Sequence, residues 1–148
     1  MRFLYLLPLA FLSSMAHAAD SCEFDVTAGD SMSFNTRAIT VPASCDEFTI
    51  NFSHTGHMPN TAMGHNWVLT KSADMTAVLT DGQPAGIKNA FIAEGDERVI
   101  AHTPILGGGE QASVTFATSK LSADEKYTFF CSYPGHSAMM QGKLTLGE

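Results

Sequence analysis

Apolar and polar side chains alternate with a period of two over several short stretches of the chain, the signature of strands with one buried face. Met32 and Phe34 alternate with Ser31, Ser33 and Asn35, and Phe48, Ile50 and Phe52 alternate with Thr49, Asn51 and Ser53. Val114 and Phe116 alternate with Ser113 and Thr115. Tyr127, Phe129 and Cys131 share one parity, and Met140, Leu144 and Leu146 share a face of the run that follows. Turn formers separate these runs at Thr55-Gly56, Asp81-Gly82, Glu94-Gly95-Asp96 and Gly107-Gly108-Gly109. Helical spacing occurs at Ala73, Ala77 and Val78, with Ser72 placed to cap, and predicts one short helix ending before Asp81-Gly82. Short strands between turns predict an all-β sandwich or small barrel, in one domain without repeats or linkers.

The first residues follow a different pattern. Arg2 precedes an unbroken apolar run from Phe3 to Leu12, and small residues stand at Ala16 and Ala18. A basic start, a short apolar stretch and an Ala-x-Ala end read as a secretory leader cleaved after Ala18 or Ala19. The run is about half the roughly 20 residues that a membrane-spanning helix needs; a buried core helix is the alternative. The expected organisation is a leader over 1–18 and a soluble domain over 19–148, exported to the periplasm and not embedded in a membrane. That compartment is oxidising, so a disulfide can persist there.

Composition narrows the function. The 148 residues are 45% hydrophobic and 16% charged, which excludes a disordered chain. Acidic groups outnumber basic ones 15 to 8, and removal of Arg2 leaves 7 basic groups and a net charge of −8. Without a Lys/Arg cluster, nucleic acid is excluded as a partner. The three cysteines are an odd number, so one is left over whichever of the three pairings forms.

The densest chemistry lies along Phe129-Phe130-Cys131-Ser132-Tyr133-Pro134-Gly135-His136-Ser137-Ala138-Met139-Met140, which spaces a thiol, an imidazole and a thioether as Cys-x4-His-x3-Met. Parity turns Cys131 inward at the end of one strand and Met140 inward at the start of the next, with Pro134-Gly135 supplying the turn between. A second imidazole, His65, shares parity with Trp67, the only tryptophan. Alone, a cysteine or methionine is usually core filler. Together, one thiolate, two imidazoles and a thioether form a soft mixed donor set that favours copper, and it is the set found in blue-copper electron-transfer sites. Zinc accepts Cys and His but seldom thioether, so Met140 argues for copper.

These residues resemble the azurins, within the cupredoxin fold. Cys22, Met63-Gly64-His65-Asn66-Trp67-Val68-Leu69, Arg98-Val99-Ile100-Ala101-His102-Thr103, and Phe129 through Met140 stand where the azurin pattern has them, as do Phe34-Asn35-Thr36 and Ser113-Val114-Thr115-Phe116. The resemblance covers essentially the whole chain after the leader. It implies a cupredoxin-like Greek-key β-sandwich or barrel of about eight strands with one short helix near 72–80. It implies one copper held by His65, Cys131 and His136, with Met140 and the Gly64 backbone carbonyl as weak axial partners. Asn66 and Ser132 are implied to tie the ligand loops together, and Cys22 to pair with Cys45. Met32, Met58, Met63, Tyr133, Pro134 and Ala138 are implied to form an apolar docking patch around His136. Tyr133 stands where the azurins commonly have phenylalanine, and for Met32 core packing is an equal alternative. Met139 has the wrong parity for a ligand and reads as a gap-filling apolar residue.

The resemblance further implies that His54 lies near the site and His102 on the surface, neither as a ligand. His57 reads as a solvated loop residue, with a second metal site shared by His54 and His57 as the alternative. The function implied is a single-electron carrier, not an enzyme and a monomer, whose partners are c-type cytochromes and periplasmic copper or amine-oxidising enzymes. A copper-storage protein is a second reading, which the scattered methionines do not favour. A copper enzyme is a third, and no His-x-His pattern is present for the further metal site it needs.

Overall fold

The computed structural model describes residues 21–147, so the expected leader lies outside the described residues. Eight strands form two sheets: β1 (Glu23–Ala28), β2 (Ala38–Val41), β3 (Glu47–His54), β4 (Val68–Lys71), β5 (Val99–His102), β6 (Gln111–Ala117), β7 (Tyr127–Phe130) and β8 (Gln141–Leu146). One sheet has the order β1-β3-β6 and the other β2-β8-β7-β4-β5. β1 runs parallel to β3 and β2 parallel to β8, while the remaining pairs are antiparallel.

Period-two burial sets the architecture. In β3, Phe48, Ile50, Phe52 and His54 all turn inward, and their backbone partners in β6 include Phe116. From the other sheet Leu69, Tyr127, Phe129 and Leu144 meet them. Trp67 stacks between the sheets, with ring centroids 6.4 Å from Phe116 and 5.9 Å from Phe129. Phe34 does the same near one edge, 6.0 Å from Phe52 and 5.6 Å from Phe129. Large rings reaching across the interface exclude water from the space between the sheets and fix the sheet separation.

The outer face of β4 and β7 is also covered. Val68 and Phe130 point away from the main core into a second apolar cluster with Val78 and Ile92. Val78 comes from helix α2 (Met75–Gly82), which therefore packs on the back of the five-stranded sheet. The predicted helix is present but displaced. It starts at Met75 behind Asp74, not at Ser72, and Asp81-Gly82 forms its last turn. Ala73 and Ala77 are exposed, so Val78 alone of the three spaced residues faces the core. A second, single-turn helix, α1 (Asn60–Met63), was not evident from periodicity. The run around Met32 makes only an isolated bridge at Phe34, opposite Ala28, and Met32 is exposed.

Cys22 and Cys45 are joined in a disulfide across 23 residues, at the end where β1 and β3 both begin. Closing a loop of this length restricts the unfolded chain and stabilises the fold by about 3 kcal/mol. Converting both cysteines to serine is expected to lower the unfolding free energy by about that much, measured by guanidinium denaturation; a loss below about 1 kcal/mol would show that the staple is dispensable.

Candidate metal centre

The pairing of β4 with β7 builds the site. Val68 lies opposite Phe130. Two residues further on, the same antiparallel register brings Asn66 opposite Ser132, past the end of the strands. There the ladder continues through side chains. The Asn66 amide donates to the Ser132 hydroxyl (2.8 Å), and the Ser132 N–H donates back to Asn66 Oδ1 (2.9 Å). The Ser132 hydroxyl in turn donates to the Ala90 carbonyl at 2.5 Å. Both residues are fully buried, and the bonds lock the segment before β4 to the loop after β7.

His65 and Cys131 flank this lock. The His65 backbone pairs in both directions with Leu106, at 3.1 and 2.7 Å. Its ring Nε2 lies 2.9 Å from the Gly29 carbonyl. A carbonyl can only accept, so Nε2 carries the proton and Nδ1 presents a bare lone pair. On its other face the ring stacks on His54 at 5.0 Å. His54 is buried, with both ring nitrogens engaged: Nε2 donates to the Met63 carbonyl (2.8 Å), and Nδ1 accepts the Gly56 N–H (3.1 Å).

The loop after β7 returns the second imidazole. Gly135 has φ of 82°, a left-handed conformation that favours glycine and makes the turn predicted at Pro134-Gly135. His136 Nδ1 then sits 3.2 Å from His65 Nδ1 and 3.7 Å from Cys131 Sγ, and His65 Nδ1 is 3.9 Å from the same sulfur. All three residues are buried. Burial is the main reason that the His65 pKa falls to about 4, reinforced by the neighbouring imidazoles and partly offset by the Gly29 bond. Burial likewise lowers the His136 pKa. It pushes the Cys131 thiol up to about 11, against backbone N–H bonds from Asn66 and Tyr133 that favour the thiolate. Two neutral imidazoles and a sulfur, shut away from water with electron pairs converging, form a donor set that a soft cation satisfies. The residues present therefore fit copper.

The other expected residues fall around this cluster. Met140 is fully buried immediately after the loop, and its backbone ties the ligand segments together: Cys131 N–H donates to its carbonyl (3.0 Å), and its own N–H donates to His136 O (2.9 Å). Gly64 is buried, and a Cβ there would lie 2.3 Å from the Asn60 carbonyl and 2.5 Å from Ile105 Cγ2, so a larger residue would push α1 away. Of the patch residues, Met32, Met58, Pro134 and Ala138 are exposed, while Met63 and Tyr133 are half-buried. Met139 fills no gap: it is 58% exposed, because the tight turn that buries Met140 points its neighbour outward. His102 and His57 are exposed. His54 has both ring nitrogens engaged within the protein, and among the described residues the only metal-competent cluster is His65, Cys131 and His136.

Some contributors had no sequence signal. The Gly29 carbonyl that orients His65 is a backbone atom 36 residues away. The Asp30 carboxylate accepts the N–H groups of His57 and Met58 at 2.9–3.1 Å, which order the loop carrying Met58 and hold Asp30 below its usual carboxylate range. Ala90 and Phe91 adopt left-handed conformations (φ 55° and 51°) with no glycine to announce them.

Comparison with known proteins gives the same reading. A family model described as "Copper binding proteins, plastocyanin/azurin family" matches residues 20–147. Azurin iso-2 of Methylomonas sp. (strain J) is 62% identical over 128 residues, covering 86% of this chain and 99% of that protein. Azurin of Pseudomonas aeruginosa is 52% identical over 138 residues, covering 93% of each chain. A solved structure of the Methylomonas azurin Az-iso2 superposes with a TM-score of 0.85 at 62% identity, covering 87% of this chain and all of that one. With copper the cofactor that both the family and the His65–Cys131–His136 cluster call for, the chain belongs to the plastocyanin/azurin family of copper-binding proteins.

Proposed function

We propose that the chain is a periplasmic blue-copper electron carrier, with His65, Cys131 and His136 as the strong ligands of one copper. The Met140 thioether and the Gly64 carbonyl are the weaker axial partners. The observation that carries this reading is the convergence of two imidazole nitrogens on a buried cysteine sulfur, with a buried methionine at the end of the same loop. Bound copper supplies one-electron chemistry by alternating between Cu(I) and Cu(II).

Everything else is the work of the chain. The Gly29, Leu106 and His54 contacts hold His65 at one orientation whatever the charge on the site. The N–H groups of Asn66 and Tyr133 point at the Cys131 sulfur and stabilise its thiolate, the form needed to bind metal. Asn66 and Ser132 keep the two ligand segments at a fixed separation. A tightly held frame, buried from solvent, adds little reorganisation to an electron's arrival or departure. Burial of all the proposed side-chain ligands argues against an open, exchangeable storage site.

His136 is the outermost ligand, and the electron leaves through it. Met32, Met58, Met63, Tyr133, Pro134 and Ala138 supply the apolar rim on which redox partners dock, and exposed Met139 belongs with them. Contacts of that kind suit short-lived complexes with c-type cytochromes and periplasmic copper or amine-oxidising enzymes, and the carrier acts as a monomer. Residues 1–18 direct export and are removed, leaving the domain 19–148; the Cys22–Cys45 bond fits an oxidising compartment.

Copper-loaded protein is expected to show an intense visible sulfur-to-copper charge-transfer band that Cys131→Ser abolishes; a colourless Cu(II) complex of folded protein would refute the reading. Met140→Leu should retain the band and raise the reduction potential, and an unchanged potential would remove Met140 from the axial position. At pH 7 the imidazoles are already neutral and the thiol is protonated, so binding Cu(II) should release about one proton, from Cys131. Calorimetry in buffers of different ionisation enthalpy measures that number, and two or more would mean that the histidines are charged in the metal-free protein. Met139→Lys should slow electron self-exchange between two copies at low salt with the visible band unchanged, and an unaltered rate would place docking elsewhere.

A further inference from the structure

The two imidazoles of the centre are held in unlike ways. His65 is oriented by a hydrogen bond from its outer nitrogen to Gly29. His136 has no such bond: among the described residues, its ring nitrogens meet only the other members of the cluster. Its orientation must come from packing, and the side chain packed on it is Tyr133. Their ring centroids are 4.6 Å apart with planes inclined by 31°.

Tyr133 is itself anchored at both ends. Its hydroxyl donates to the Thr61 carbonyl at 2.9 Å. The edge of Phe91 meets its ring at 5.5 Å and 73°. Thr61 lies in α1, the turn packed against Gly64 immediately before His65. Phe91 follows Ala90, whose carbonyl is bound by the Ser132 hydroxyl. The Tyr133 ring is thus a wall fixed on one side to the His65 segment and on the other to the corner that Ser132 secures. A phenylalanine in its place would keep both ring contacts and lose the bond to α1.

We propose that Tyr133 is a positioning residue for His136, and that its hydroxyl forms a second clasp between the two ligand loops, on the solvent side, opposite the buried Asn66–Ser132 clasp. The clasp holds the His136 ring turned toward Cys131 and His65 before any metal is bound. The role rests on the copper-carrier reading for its purpose, but the ring orientation it predicts is tested without metal.

The test compares the parent with Tyr133→Phe and Phe91→Leu. In metal-free protein, relaxation of the His136 ring nuclei should show new motion in Tyr133→Phe, while Phe91→Leu, which removes one packing contact but retains the hydroxyl bond, should show a clearly smaller change. After copper loading, Tyr133→Phe should release the metal to a chelator about fivefold faster, the Boltzmann factor of one ordinary hydrogen bond. The pattern of its visible and electron paramagnetic resonance spectra should also change. Parent-like ring motion and release in Tyr133→Phe would overturn the proposal. So would an equal change in Phe91→Leu, which would assign the effect to general packing. A parent that takes up no copper would overturn the functional reading instead, and the ring-motion measurement would still judge Tyr133.

Discussion

Two imidazoles and a thiol do not gather away from water unless something else holds them there. That constraint organises the molecule. The cluster takes two imidazoles and a thiol out of water, which costs free energy on folding. The cost is met by what lies behind it: two sheets joined by the Trp67, Phe34 and Phe129 ring contacts, a strand register that continues as the Asn66–Ser132 bonds, and a backbone bridge from His65 to Leu106. Each is a contact between parts of the chain itself, so the fold supplies the frame in which the donors are placed.

Much of this was readable from the residues. The alternation at Phe48, Ile50 and Phe52 became the most regular buried strand, and the parity of Cys131 and Met140 placed both inside. The Cys-x4-His part of the spacing brings Cys131 and His136 within 3.7 Å because a loop between paired strands must return within a few residues. What escaped notice shares one cause: its partner is far along the chain. β2 pairs in parallel with β8 across a hundred residues, and four residues of ordinary composition give no local sign of it. Val68 and Phe130 look like breaks in the alternation until α2 is seen to cover the second face. The start of α2 was misplaced because Ser72 resembles a cap, whereas its hydroxyl bonds across to Thr128 of β7.

The methionines show how one local detail redistributes roles. Met139 and Met140 are adjacent and chemically identical, yet one is 58% exposed and the other fully buried. The N–H groups of both turn back to the His136 carbonyl, at 3.1 and 2.9 Å, and that single acceptor fixes which thioether is buried and which faces solvent. The same carbonyl belongs to the proposed exit ligand, so the rim and the interior are set by one tight turn.

The strand directions have a further effect. Cys131 and His136 lie where β7 ends and β8 begins, whereas β1 starts, and β8 finishes, at the opposite pole, beside the disulfide. The molecule therefore carries the His65–Cys131–His136 cluster at one pole and the disulfide at the other, and both described ends of the chain emerge at the disulfide pole. Anchored by either described end to a surface or fused to another protein, it would turn the pole that carries the cluster outward, so the fold carries its own rule for oriented attachment.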